Sequence, residues 1–291
     1  MERSSRWVAI QRNPKSGSGL RRPLLEFIRS LRTLGIRPRL FSQRERLDAC
    51  LQDPVHRQSL HGIVAAGGDG TILDLINRHP GIPVGVLPLG TENLVARQFR
   101  IPRNGAAAAA IVAGGRLEPL DIGRIDGKRF AIMASAGFDA EVIHQLHQRR
   151  SGHIDHTHYL RPILSTLRTY RHPELRVYAD DATEPVSGRM VVVANLSAYA
   201  LRLGVVPTAE GCDGWFDVRI FQKGSAFQIM RYLYMVARKR HDRLPDVICL
   251  RARTIRIEAD APVPLQADGD PVGTTPCEIS IDATSAQLFV P

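Results

Sequence analysis

The period of the apolar residues changes near residue 120, and that change limits what the chain can fold into. From Trp7 to about Gly115, short apolar runs alternate with helical patterns. Trp7 to Ile10, Ile36 to Phe41, Ile63 to Ala66 and Val84 to Leu87 read as strands. Leu24, Leu25, Ile28, Leu31 and Leu34 recur at helical spacing, and Ala106 to Ala113 is a strong helix former. Helices are also expected after the last two strands. Such alternation predicts a parallel sheet covered on both faces. Beyond about Leu120 the period is two: RFAIMASA, LRVYA, RMVVVANLS, WFDVRIF, TIRIE and CEISI are short, often β-branched, and separated by Gly, Pro and Asp. Helical patterns interrupt this half only around 139–170 and 225–240. The expected fold class is α/β plus β, with a nucleotide-binding α/β domain over 1–120 and a mostly antiparallel β domain over 121–291. A strand near 285–291 is a candidate to return to the first sheet.

Charge and cysteine usage narrow the function classes. Lys and Arg exceed Asp and Glu by 39 to 29, giving a formal charge of +10. This balance suits a polyanion without choosing among nucleotide, nucleic acid and anionic membrane. Cys50, Cys212, Cys249 and Cys277 are far apart and form no CxxC pair, which reads as a reduced, cytosolic protein without a zinc knuckle. No signal-peptide h-region and no run of membrane-spanning length is found, so membrane contact is expected to be peripheral.

Three stretches put glycine and hydroxyl residues where strands meet helices. In GIVAAGGDGTILDLINR, residues 62–78, an apolar strand runs through Gly67, Gly68, Asp69, Gly70 and Thr71 into a helix. The first amides of that helix point outward, and glycines let a polyphosphate approach them. Asp69 would repel phosphate unless it serves a cation, a water or a substrate hydroxyl. Taken alone, the turn is also consistent with a tight strand-to-helix connection. QRNPKSGSGL, residues 11–20, follows the first strand, and LPLGTENLVAR, 87–97, repeats the pattern with Thr91 and Asn93. In a parallel sheet all three turns lie at carboxyl ends of strands, where ligands bind. GxxxxGK[ST] and GxGxxG are both absent. A fourth stretch, VPLQADGDPVG at 263–273, carries Asp268 and Asp270 around a glycine. It reads either as a solvated hairpin or as a carboxylate that takes a proton from an attacking hydroxyl.

In order along the chain, NPKSGSG, GGDGT, PLGTEN, DIGRIDGKRFAIMASAGFDAEV, PTAEGCDGWFDVRIF and ADGDP resemble the motifs of the diacylglycerol kinase catalytic-domain family. That family includes bacterial soluble lipid kinases and is related to sphingosine and ceramide kinases. The resemblance implies a Rossmann-like first domain of the phosphofructokinase and NAD kinase type, a C-terminal β-sandwich, and an ATP site in the interdomain cleft. Residue by residue, it assigns nucleotide binding to Asn13, Ser16, Gly67, Gly68, Asp69, Gly70, Thr71 and Thr91. Asp268 matches the general base of bacterial members. Asp69 is its rival, because sphingosine kinases direct the equivalent carboxylate at the substrate hydroxyl. Asp121 and Asp213 match acidic positions of a Mg²⁺-linked network, to which Glu210 and Trp215 would add backbone carbonyls.

The sequence departs from the family at Asp270, where a glutamate is usual, and at Glu92, where a glycine is usual. The resemblance implies phosphoryl transfer from Mg·ATP to a lipid hydroxyl at a membrane surface, with no nucleic acid partner; homodimerisation is left open. Two other readings stand beside it: an NAD kinase or other small-molecule kinase, and a non-catalytic nucleotide-binding module at membranes. The segment FQIMRYLYMVARKRH, 227–241, reads either as a helix packed on the β domain or as a membrane-facing element. Six of the ten histidines fall between His144 and His172, without fixed metal-ligand spacing.

Overall fold

A computed structural model describes residues 6–13, 21–148, 160–197, 204–282 and 285–291. The chain divides into two compact units, Met1–Leu120 with Thr284–Pro291, and Asp121–Ala283. The first contains β1 (Trp7–Arg12), α1 (Arg21–Thr33), β2 (Arg37–Phe41), α2 (Arg44–Gln52), α3 (Pro54–Gln58), β3 (Leu60–Gly67), α4 (Asp69–Arg78), β4 (Val84–Pro88), α5 (Leu94–Gln98), α6 (Gly105–Gly114) and β5 (Leu117–Leu120). The second begins with β6 (Gly123–Ile125), β7 (Lys128–Phe130), β8 (Met133–Gly137), α7 (Phe138–Gln148), α8 (Leu160–Thr169), β9 (Leu175–Ala179), β10 (Val186–Gly188) and β11 (Met190–Ala194). It continues through β12 (Phe216–Phe221), α9 (Ala226–Ala237), β13 (Val247–Ala252), β14 (Thr254–Glu258), β15 (Pro264–Ala267), β16 (Asp270–Thr274) and β17 (Cys277–Ile281). Strand β18 (Ala286–Phe289) then returns to the first unit.

The first sheet has the order β2-β1-β3-β4-β18-β5. Its pairings are parallel except that of β18 with β5. Strands β1, β3 and β4 are almost wholly buried, as their unbroken apolar runs require when helices cover both faces. Pro38, which has no amide to donate, lies in the edge strand β2. The alanine run becomes α6, whose Gly105, Ala108, Ala109 and Val112 form the buried stripe. A Cβ at Gly105 would lie 2.2 Å from the Pro23 carbonyl oxygen, so this helix packs on α1 backbone to backbone. Phe289 of β18 joins the same core as Phe27, Leu31 and Val64.

The second unit is a sandwich of two antiparallel sheets, β10-β9-β14-β17-β6-β7 and β13-β12-β11-β8-β15-β16. Alternate residues of both fill one core, which includes Val191, Val193, Phe216, Val218, Ile255 and Ile257. The Phe130 and Phe216 rings stack in it with centroids 5.7 Å apart. One sequence expectation is corrected here. RFAIMASA is not a single strand: Phe130 ends β7 in one sheet and Met133 opens β8 in the other. The chain bends at Ala131 and Ile132 to change sheets. Among the described residues, no helix is long and apolar enough to cross a membrane.

Candidate active site

Register aligns the exits of β1, β3 and β4 in the first unit. Arg12 of β1 lies opposite Ala66 of β3, and Gly67 lies opposite Pro88 of β4. The Asn13 amide donates to the Ala66 carbonyl at 3.4 Å, which holds the exit from β1 beside that from β3. Ser16 lies outside the described residues. Gly67 O accepts from the amides of Leu89 and Gly90, at 3.0 and 3.3 Å. A Cβ at Gly90 would come within 2.6 Å of Gly68 Cα, whereas one at Gly70 would meet nothing within 4 Å. The paired turns therefore touch through Gly68 and Gly90, and Gly70 faces open space at the start of α4. Thr71 is buried and Thr91 exposed. Arg103 adds a cation that sequence reading missed, donating to the carbonyls of Gly90 (3.2 Å) and Thr91 (2.7 Å).

Asp69 crosses from one turn to the next. Its Oδ2 accepts from Leu94 N at 2.9 Å and its Oδ1 from Val95 N at 3.0 Å, satisfying the first amides of α5. Asn93, which precedes α5 with φ 50°, instead closes its own turn: Oδ1 accepts from Gly90 N and Nδ2 donates to Gly90 O. Burial pushes the Asp69 carboxyl above the usual carboxylate range, against the pull of the two amides, and the Glu92 charge pushes the same way. Glu92 is itself 3.7 Å from Arg97 Nη1. The added charge at this departure from the family thus has a local counter-ion.

In the second unit, Asp268 and Gly269 take φ of 50° and 84° between β15 and β16. The hairpin is real, but Asp268 is not simply solvated. Its Oδ1 accepts from Ile132 N and Met133 N at 2.8 and 3.0 Å, and its Oδ2 accepts from Ala131 N at 2.7 Å. The sheet-changing bend supplies these amides, which would otherwise be lost from the ladder. Gln266, nearly inaccessible, braces the turn from behind: Oε1 accepts from Gly269 N, while Nε2 donates to Ser135 Oγ and Asp139 Oδ2. Asp270 is exposed, 3.8 Å from His147 Nδ1. His153, His156 and His158 lie outside the described residues, and His144 Nε2 donates to Leu265 O at 3.0 Å.

The acidic positions linked to a cation also converge in this unit. Asp121 Oδ2 accepts from Gly214 N at 2.7 Å, and Asp213 Oδ1 from Trp215 N at 3.1 Å. Asp213 is ion-paired with Arg251, whose guanidinium and that of Arg253 lie over the Trp215 ring at 5.7 and 4.5 Å. Asn195, fully buried, donates to the carbonyls of Asp121 and Ala131, each at 2.7 Å. Its Oδ1 has no hydrogen-bond partner, an oxygen that an ordered water or cation would satisfy. Among the described residues no group of three or more His, Cys, Asp or Glu side chains comes together to hold a metal. A hydrated Mg²⁺ needs no such group: one carboxylate with carbonyl oxygens and waters is sufficient. The carboxylates of Asp121 and Asp213 and the open Asn195 Oδ1 are oxygens of the kind that donor set uses, with Arg251 as the competing cation at Asp213.

Comparison with known proteins gives consistent matches in both halves. Residues 8–125 match the diacylglycerol kinase catalytic domain, and residues 132–290 match the YegS C-terminal NAD kinase beta sandwich-like domain. A diacylglycerol kinase of Mycobacterium tuberculosis (strain ATCC 25618 / H37Rv) is 31% identical over 238 residues, covering 79% of this chain and 76% of that relative. One of Staphylococcus carnosus (strain TM300) is 24% identical over 285 residues, covering 96% and 93%. A crystal structure of a diacylglycerol kinase from Bacillus anthracis str. Sterne superposes with a TM-score of 0.71 at 17% identity, over 99% of this chain and 97% of that one. That last likeness is one of fold. The class so defined is a phosphotransferase with an alcohol acceptor. Within it, the chain belongs to the diacylglycerol kinase family.

Proposed function

We propose that this protein transfers the γ-phosphoryl group of Mg·ATP to the hydroxyl of a lipid such as a diacylglycerol or a sphingoid base. The observation that carries the reading is the open face at Gly70, beside the Gly90 turn and among the neighbouring ends of β1, β3 and β4. Helix-start amides there suit a triphosphate, and Arg103 adds positive charge beside them. Asp268 accepts the proton of the acceptor hydroxyl as its oxygen bonds to the γ-phosphorus. The bond from that phosphorus to the bridging oxygen breaks, and ADP leaves. Three amide donors fix the orientation of Asp268, so positioning supplies much of the rate. Oxygens of Asp121, Asp213, Glu210 and Trp215 would hold a Mg²⁺, which when bound would neutralise charge on the nucleotide's phosphates. The protein works from the cytoplasm as a peripheral membrane enzyme, without a nucleic acid partner.

A second assignment of the base is favoured by one observation. Burial raises the Asp69 carboxyl, and a carboxylate of raised pKa is a better proton acceptor near neutrality. Asp268→Asn and Asp69→Asn separate the two. Asp268→Asn is expected to abolish turnover while the nucleotide Kd stays within about threefold; full activity would transfer the role to Asp69. Thermal melts accompany both variants, because each replaces an oxygen that accepts backbone amides by an amide nitrogen. Labelled ATP with mixed lipid micelles, and with NAD in parallel, tests the activity itself. Label in lipid supports the proposal, label in NADP indicates an NAD kinase, and nucleotide binding without transfer indicates a sensing module.

A further inference from the structure

Helix α9 shows two apolar faces, and the fold uses only one of them. Ile229, Tyr232 and Val236 are buried. The Tyr232 ring meets that of Phe221 at 4.9 Å, and its hydroxyl donates to Asp246 Oδ2 at 2.8 Å. On the other side, at i, i+3 and i+7, Phe227, Met230 and Tyr234 are 76%, 52% and 62% exposed. Among the described residues no large apolar side chain is more exposed than Phe227, and no other element carries more than one such residue. The three span about 10 Å of helix.

The charge around this stripe has one sign. Lys223 to Arg240 contains five cations and no acid. Arg231 is held by Asp246, while Lys223, Arg238, Lys239 and Arg240 are exposed at the two ends of the helix. The nearest downstream acids are engaged, Asp242 by Arg219 and Asp246 by Arg231 and Tyr232. An apolar stripe flanked by unopposed cations complements a surface with an apolar interior and anionic phosphates. A protein partner of ordinary interface composition would find no acid between Lys223 and Arg240 to pair.

We propose that this face of α9 is a membrane-docking surface, inserting Phe227, Met230 and Tyr234 among the acyl chains of an anionic bilayer while Arg238, Lys239 and Arg240 meet its phosphates. The contact is small, which suits reversible binding. The inference extends the lipid-kinase reading, but its test needs neither nucleotide nor acceptor, so the two stand or fall separately.

The test is co-sedimentation of the full chain with vesicles of phosphatidylcholine, alone or mixed with phosphatidylglycerol. The wild-type protein is expected to bind the mixed vesicles, to bind neutral ones weakly, and to be released by salt. F227S/M230S/Y234S and R238E/K239E/R240E should each lower partition onto mixed vesicles roughly tenfold or more. Melting temperatures should be unchanged, because the altered side chains are exposed. Failure of the wild-type protein to bind mixed vesicles, or equal binding by a folded triple variant, overturns the proposal. So does a wild-type dimer that the apolar triple variant converts to monomer without loss of vesicle binding, since the face would then belong to a second copy of the chain.

Discussion

Gly70 and Gly90 occupy turns of similar composition but are small for different reasons, and substitution separates them. A Cβ at Gly90 would meet Gly68 Cα at 2.6 Å and Asn93 Oδ1 at 2.9 Å. Gly90→Ala is therefore expected to lower stability by about 1–3 kcal/mol, read as a fall in Tm. Gly70→Ala meets no protein atom and replaces glycine within the first turn of α4. Its stability should hold or rise by up to about 1 kcal/mol, while nucleotide affinity by calorimetry falls roughly tenfold as the methyl blocks access to the amides. A Gly70→Ala protein with unchanged nucleotide affinity would remove this turn from the binding site. The glycines were conspicuous in the sequence because their spacing is local. The partners of Asp69 were not, since the amides of Leu94 and Val95 belong to a different turn and carry no side-chain signature.

At the scale of elements, the bend between β7 and β8 and the β15–β16 turn act as one device. Period-two alternation identified the strands around them, but RFAIMASA gives no sign of where it breaks. The break is set by Phe130 and Met133 belonging to different sheets, a tertiary demand. Asn195 had a weak signal, as a polar residue closing the apolar run VVVA; Gln266 had none. Gln266→Ala leaves Ser135, Asp139 and Gly269 N without its contacts, at a cost of about 1–3 kcal/mol. It is expected to lower kcat while leaving the nucleotide Kd unchanged, at a temperature where the variant is fully folded. A loss confined to Tm would make Gln266 structural only. The segment between α9 and β13 carries a pH dependence of its own. Burial by itself would raise the Asp242 and Asp246 carboxyls, but Arg219 outweighs it at the first, and Arg231 with Tyr232 at the second, holding both below their ordinary value of 3.8. Their contribution to stability is therefore full above that value and lost as pH falls through the lower folded-state values. Melts recorded from neutral pH into acid should show Asp246→Asn with a shallower acid limb than the wild-type protein.

For the whole molecule, the decisive element is β18. It lies between β4 and β5, parallel to one and antiparallel to the other, and Phe289 fills the first unit's core. Gly62 is shaped around that ring, with a would-be Cβ 2.5 Å from it, whereas one at Gly85 would meet Val112 Cγ2 at 2.7 Å. A fragment ending at residue 120 is expected to be insoluble or molten, with weak near-UV dichroism, whereas the same fragment carrying residues 284–291 on a flexible linker should fold. Equal folding of the two fragments would show that β18 is dispensable. Alternating strands and helices made the first unit's sheet legible, and a strand near 285–291 was a candidate to return to it; its place between β4 and β5, across more than 160 intervening residues, leaves little local trace.

The position of β18 also has a consequence for synthesis on the ribosome. The sandwich, residues 121–283, is translated before the strand that closes the first sheet. A nascent chain therefore holds an unfinished first unit until the second has been made. An arrested or clipped product lacking those eight residues would leave β4 and β5 without the strand that joins them, and is expected to be a ready target for proteolysis.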